Sequence, residues 1–289
     1  MTTDDTPRRI RFFKMTGSGN DFIIIDNMDG RFSSADSPAL VRLACRRKLS
    51  VGADGLIFIE PDAQVDFCWR FYNADGSAAE MCGNGARCAA RFAYLRGIVR
   101  KPRIAFRTVA GIIHAEIVDA RVKIQVSPPH GLELNFPLDV EGKPFRLNFI
   151  NTGVPHVVHF LADRRQLDAA QVFTWGRALR FHQRFQPAGA NVNFAAVEAV
   201  HRMAVRTYER GVEDETLACG TGSIAAALIG AALDQVESPV EVVTRSGETL
   251  TVYFTRERQG NDIRFREVYL EGDAKVVYEA DLWDETLRE

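Results

Sequence analysis

The 289-residue chain is 46% hydrophobic and carries a net charge of −2, which is enough apolar material for two domains and offers no basic surface to a polyanion. Charges of both signs are interspersed and no apolar run is long enough to cross a bilayer, so neither nucleic acid nor a membrane is an expected partner. The opening MTTDDTPRRI has no apolar segment of the secretory kind, and the five cysteines are an odd number for a disulfide framework; a cytoplasmic chain with reduced thiols is expected.

Taken in order, FIIID (22–26), LIFIE (56–60), FCWRFYN (67–73), IAFRTV (104–109), IIHAEIV (112–118) and VKIQV (122–126) read as strands by apolar runs or alternation. A helix is expected over residues 38–47, with Ser37 as N-cap and Pro38 in its first turn. A second is expected from Ala86 to Arg96, ended by Gly97. The proline-rich stretch SPPHGLELNFP (127–137) is the expected boundary between two halves, 1–127 and 128–274. Beyond it, HVVHFL (156–161), VNFAAVE (192–198), MAVRTYE (203–209), VEVVTR (240–245), ETLTVYF (248–254) and REVYLEG (266–272) read as strands. The alanine-rich stretch Ser223–Leu233 reads as a helix, and Ala178–Phe185 as a counterpart of the 38–47 helix.

Three blocks recur in the same order. RFYN (70–73) precedes MCGNGARCAA (81–90), and RTYE (206–209) precedes ACGTGSIAAA (218–227), which sets Cys82 and Cys219 137 positions apart. GADGLIFI (52–59) and GANVNFAA (189–196) are also offset by 137, and GNDFIIID (19–26) and GVPHVVHF (153–160) by 134. The chain therefore reads as two diverged copies of one unit. Many strands with one central helix per half imply an α+β fold of two pseudo-symmetric domains, each a mixed sheet or barrel wrapped around a helix.

Both cysteines stand immediately before a glycine-bracketed turn that opens a helix. First-turn N–H groups lack internal partners and the helix dipole is positive there, so each copy offers a cradle for a carboxylate or phosphate. The same end is expected to acidify a nearby thiol. Two such thiols facing one bound anion across a cleft suit inversion at carbon, where one face loses a proton and the other gains one. A phosphate loop would need G-x-x-x-x-G-K-[ST], and a structural zinc site would need C-x₂-C pairs. Neither pattern is present, so no metal is expected, and Cys88 is expected to face the core because Ile224 or Ala225 stands at its place in the second copy.

MCGNGARC (81–88) and ACGTGS (218–223) resemble the two cysteine motifs of the diaminopimelate epimerase family. The resemblance extends over GSGNDFIIID (17–26), GADGLIFI (52–59), FYNADGS (71–77), NVNF (191–194) and YERG (208–211). It implies a cofactor-independent amino-acid racemase that interconverts LL- and meso-diaminopimelate, a substrate with two carboxylates, usually as a homodimer. It also implies that the closing segment, 275–289, completes the first domain. By resemblance Cys82 and Cys219 are catalytic, and Asn20, Asn73, Asn191, Glu209 and Arg210 line the substrate pocket. The amides of Gly83, Asn84, Gly220 and Thr221 would hold the reacting carboxylate, and His156 would stand beside the reacting centre.

The chain departs from the family pattern in two places. Val154 stands where GNPH often has asparagine, which leaves Asn151 or the turn backbone to compensate, and Gly55 stands where some relatives carry glutamine. Proline and hydroxyproline epimerases share the architecture, but Asn84 and ETLACGTG differ from their motifs, and Arg210 favours a second substrate carboxylate. A non-enzymatic binder of an amino acid or phosphorylated ligand is the rival of a different class. It would survive replacement of Cys82, whereas an epimerase would not.

Overall fold

A computed structural model describes residues 9–260 and 262–287. Most of the opening segment, and the last two residues of the expected 275–289 segment, lie outside the described residues. The elements in chain order are β1 (Arg9–Gly17), β2 (Asn20–Asp26), α1 (Ser37–Ala44), β3 (Gly55–Glu60), β4 (Phe67–Asn73), α2 (Gly83–Leu95), β5 (Arg103–Thr108), β6 (Gly111–Val118), β7 (Arg121–Gln125), β8 (His130–Val140) and β9 (Lys143–Asn151). Then follow β10 (Pro155–Phe160), α3 (Arg164–Asp168), α4 (Val172–Arg180), β11 (Asn191–Ala199), β12 (Arg202–Glu209), β13 (Asp214–Thr216), α5 (Gly220–Ala232), β14 (Val240–Val243), β15 (Thr249–Gln259), β16 (Asp262–Asp273) and β17 (Lys275–Trp283).

The chain divides into two compact units: one runs to Ile124 and resumes at Asp273, and the other is Gln125–Gly272. In the first, the strands pair in the order β17-β1-β2-β3-β4-β5-β6-β7. All these pairings are antiparallel except β2 with β3 and β4 with β5. In the second, the order is β8-β9-β10-β11-β12-β14-β15-β16, antiparallel except β10 with β11 and β12 with β14. The succession of pairing directions is the same in both, so the duplication is written in the backbone as well as in the motifs. The first strand of the second unit, β8, has its counterpart in β17, the last strand of the chain.

Each sheet is covered on both faces. In the first unit Ile23, Ile25, Leu56 and Phe58 pack with Val41 and Ala44 of α1 in one apolar cluster. The alternate residues face α2: a Cβ added at Gly85 would lie 3.3 Å from Ile57 Cδ1 and 3.6 Å from Phe22 Cε1. Burial on both faces is why FIIID and LIFIE are continuous apolar runs rather than alternating ones. Each such side chain contributes about 1.5–3 kcal/mol. In the second unit Leu167 of α3 and Val172 and Leu179 of α4 join Val157, Val192 and Phe194 in the equivalent outer cluster. The central helix α5 is buried from Gly222 to Ala232, and its alanines and glycines let strands approach closely on every side.

Several elements differ from the sequence expectation. The stretch 127–137, expected as the boundary between the halves, lies just inside the second unit, and from His130 it is strand β8, whose residues pair with β9. Helix α2 starts at Gly83 and α5 at Gly220, three residues earlier than expected in each case, because the glycines themselves form the first turns. Helix α1 is N-capped by Asp36 rather than Ser37 and ends at Ala44. Ser37 instead donates its hydroxyl to Ser33 O at 2.6 Å. The expected 178–185 helix is the end of α4 followed by a 3₁₀ turn at Gln183–Phe185. Strands β1, β8, β9, β13 and β17 and helix α3 were not anticipated as elements.

Candidate active site

In the first unit the implicated residues gather where β2 begins, β4 ends and α2 opens. Phe22 is opposite Gly55, and Gly55 is opposite Asn73. A side chain at Gly55 would place its Cβ 2.6 Å from Tyr72 O; the close approach of β4 explains why glycine stands there rather than glutamine. Cys82 is the N-cap of α2 in extended conformation, and its Sγ accepts from Gly85 N at 3.5 Å. Gly83 and Asn84 are therefore the leading residues of the helix, whose N–H groups the helical pattern leaves without an intrahelical acceptor. Asn73 is exposed and donates from Nδ2 to Ser77 Oγ at 3.0 Å.

Asn20 and Asn84 are locked in orientation. Asn20 Nδ2 donates to Asp54 Oδ2 at 3.0 Å, and Asn84 Nδ2 donates to Asn20 Oδ1 at 2.8 Å. Asn84 Oδ1 in turn accepts from Arg87 Nη2 at 2.7 Å. Asp54 is held by Arg47 at 2.8 Å, and Asp21, beside it, pairs with Arg47 at 2.7 Å and Lys14 at 2.8 Å. Cys88 is buried, as expected of a packing residue; burial pushes its thiol up to about 12.

In the second unit β10 and β11 run parallel with His156 opposite Asn191, and α5 opens beside them. Asn191 spends its amide on the backbone: Nδ2 donates to Pro155 O at 3.3 Å, and Oδ1 accepts from Arg210 N at 2.8 Å. Among the described residues neither Glu209 nor Arg210 has an ion-pair partner; Arg210 Nη1 reaches only Ala188 O, at 3.2 Å. Burial raises the Glu209 carboxyl above its ordinary range. Near Val154, Asn151 Oδ1 is taken by Gly153 N at 2.9 Å, so it closes the turn.

Cys219 is the buried N-cap of α5, with Thr221 Oγ1 3.6 Å from its Sγ. Here the expectation of an acidified thiol is corrected. Burial pushes Cys219 up to about 12, the Glu209 charge adds to this, and the stabilising contacts of Thr221 and the first-turn amides are smaller. Cys219 is a neutral thiol, suited to give a proton.

His156 owes its state to two residues the sequence reading did not single out. Asn193 Nδ2 donates to Val157 O at 3.0 Å, and Asn193 Oδ1 accepts from Thr207 Oγ1 at 2.9 Å. With the amide so oriented, its Nδ2 also donates to His156 Nδ1 at 3.1 Å, which leaves the imidazole proton on Nε2. Nε2 is buried and finds no partner among the described residues, an unspent donor at the site. Asn193 follows Asn191 by two residues on a strand, so spacing alone places both on one face.

Burial, and after it the Arg210 charge, push His156 down to about 3. Its folded-state value lies below that of the unfolded chain, so only the unfolded chain takes up the proton between pH 6.5 and about 3. Stability contributed by neutral His156 is present above pH 6.5 and is lost as pH falls, at up to roughly 1.4 kcal/mol per pH unit. Thermal unfolding of a His156→Gln variant is expected to show a shallower decline from pH 6.5 to 4 than the parent. Parallel declines would contradict a buried neutral imidazole.

The duplicated α+β scaffold is shared with proteins of known structure. Its fold is similar to that of a PhzF-family phenazine biosynthesis protein from Bacillus anthracis, with a TM-score of 0.71 at 16% identity over 95% of this chain and 99% of that one. It is likewise similar to a hydroxyproline epimerase from Agrobacterium vitis, with a TM-score of 0.67 at 15% identity over 96% and 93%. At these identities the likeness is one of fold.

Sequence similarity narrows the class. The profile described as diaminopimelate epimerase matches residues 12–129 and 148–277. The diaminopimelate epimerase of Aquifex aeolicus is 45% identical over 96% of this chain and 99% of its own length. That of Hydrogenobaculum is 46% identical over 92% and 96%. The chain belongs to the diaminopimelate epimerase family.

Proposed function

We propose that the protein interconverts LL- and meso-2,6-diaminopimelate by proton transfer between Cα and two thiols, Cys82 and Cys219. One cysteine, as thiolate, takes the Cα proton, and the other, as thiol, delivers its own proton to the opposite face. The carbon inverts, and the two sulfurs exchange protonation states with no net change in electrons or atoms. The observation that carries this is the repetition of one device: a cysteine capping the central helix of each unit, beside amides that have no intrahelical acceptor.

Without a cofactor as electron sink, the carbanion must be stabilised by hydrogen bonds to the adjacent carboxylate. The first-turn amides of Gly83, Asn84, Gly220 and Thr221 supply donors of the right polarity. Glu209 and Arg210, with no ionic partner among the described residues, fit a ligand bearing both an ammonium group and a distal carboxylate. The planar guanidinium of Arg210 suits bidentate capture of that carboxylate. His156 Nε2–H offers a neutral donor beside them. Asn191 acts by placing the Arg210 backbone, and the Asn20–Asn84 pair is preset by Asp54. A cytoplasmic homodimer, serving lysine and peptidoglycan precursor synthesis, belongs to the same proposal and follows the family resemblance.

Incubation of the reduced protein with LL-diaminopimelate in D₂O is expected to give the meso isomer with deuterium at one Cα. Proline is expected to remain unlabelled. Absence of both inversion and exchange with diaminopimelate would refute the proposal and leave a binding protein.

A further inference from the structure

We infer that Arg87 is a positioning charge that makes the two thiols unequal, holding Cys82 as the resting anion while Cys219 remains a thiol. The inference rests on the two-thiol proposal above, but concerns a residue outside the substrate-contacting set. Arg87 is fully buried and heads the large fully buried side chains among the described residues. It folds back along α2: Nη2 donates to Asn84 Oδ1 at 2.7 Å and to Ser18 Oγ at 2.9 Å, and Nε donates to Asp273 O at 3.4 Å. A guanidinium is thus tucked under the first turn that Cys82 caps. That first turn contains no acidic residue.

The duplication supplies an internal control. At the offset that aligns Cys82 with Cys219, Arg87 aligns with Ile224, which is buried and apolar. In the repeat RFYN/RTYE, Asn73 aligns with Glu209. One cysteine therefore has a buried cation and a neutral amide where the other has an alkyl group and a carboxylate. The Glu209 carboxylate is among the causes that hold Cys219 protonated.

Other charges around α2 are largely committed elsewhere. On β1 and β2, Arg11 pairs with Glu279, and Lys14 with Asp21. Asp26 accepts from Met28 N. On β3, Glu60 pairs with Arg70, and on β6, Glu116 pairs with Arg103 while His114 is exposed. On α2 itself Arg91 donates to the carbonyls of Ala120 and Ala274. Asp273 is paired with Lys275 and Arg121. Beside Cys219 stands Glu209, while the Arg210 charge acts on His156. The asymmetry between the two thiols is therefore carried by Arg87 on one side and Glu209 on the other.

The test is alkylation of the whole protein by iodoacetamide across pH 5 to 10, with Cys82 and Cys219 peptides quantified separately by mass spectrometry. No substrate is present, so the result is independent of whether the epimerase proposal holds. In the parent, Cys82 is expected to react at lower pH than Cys219. In Arg87→Met its midpoint is expected to rise by about one pH unit, with Cys219 unmoved, and in Arg87→Lys it is expected to stay near the parent value. If Arg87 only braces the fold, Arg87→Met shifts both cysteines together or neither, and the inference is overturned. If Arg87→Met does not fold, the order of the two cysteines in the parent decides: Cys82 reacting at or above the pH of Cys219 overturns the inference.

Discussion

Replacement of Cys219 by alanine is expected to cripple inversion, lowering kcat by roughly 10²–10⁴, while one half of the exchange reaction survives. Cys219 is a buried thiol, pushed up to about 12, and so equipped to donate. Cys82 remains intact in this variant and can still remove and return a proton on its own face. Solvent deuterium is therefore expected to enter Cα of one diaminopimelate stereoisomer and not the other, with no change of configuration. Cys82→Ala is expected to exchange the other stereoisomer, and far more slowly, because its remaining thiol is neutral at rest. Chiral chromatography coupled to mass spectrometry reads both quantities at once. Inversion by Cys219→Ala at the parental rate would remove the two-thiol mechanism.

Gly222→Ala is expected to have a large effect for the addition of one methyl group. An added Cβ would sit 2.3 Å from Asn193 Oδ1 and 3.2 Å from Thr207 Oγ1. Both atoms belong to the buried pair that fixes the His156 tautomer, so neither can move away without breaking a hydrogen bond. Overpacking of this kind costs about 3 kcal/mol, and a shifted Asn193 leaves His156 Nδ1 without its donor. The variant is expected to unfold at markedly lower denaturant concentration and, where folded, to lose most activity. The same change at Gly83, where a Cβ meets nothing closer than Ile124 Cδ1 at 3.6 Å, is expected to leave stability nearly unchanged. Equal stability losses at the two positions would show that the contact with Asn193 does not govern.

The inner strands were legible from the chain: β2 and β3 as continuous apolar runs buried on both faces, and β4 by its alternation. Strand β8 did not. Its residues alternate between exposed and half-buried and include Pro137 and Gly131, so turn composition masked a strand whose pairing with β9 is decided by the partner. The opening turns of α2 and α5 were missed for a related reason. Glycine is a poor helix former in isolation, and only close packing of strands around the helix start makes it the residue that fits.

The repeat, the two cysteines before their glycine turns, and the neighbouring asparagines, glutamate and arginine were all determined by the sequence alone. Chemistry of that kind is specified by residue type and spacing. Protonation states and orientations were decided only by the tertiary structure. Cys219 is a thiol because it is buried beside Glu209, although its position at a helix end argued for the opposite. His156 is neutral with its proton on Nε2 because Asn193 and Thr207, from two neighbouring strands, leave no other arrangement. Ionisation depends on the medium around a group as much as on the group, and that medium is assembled from residues far apart in the chain.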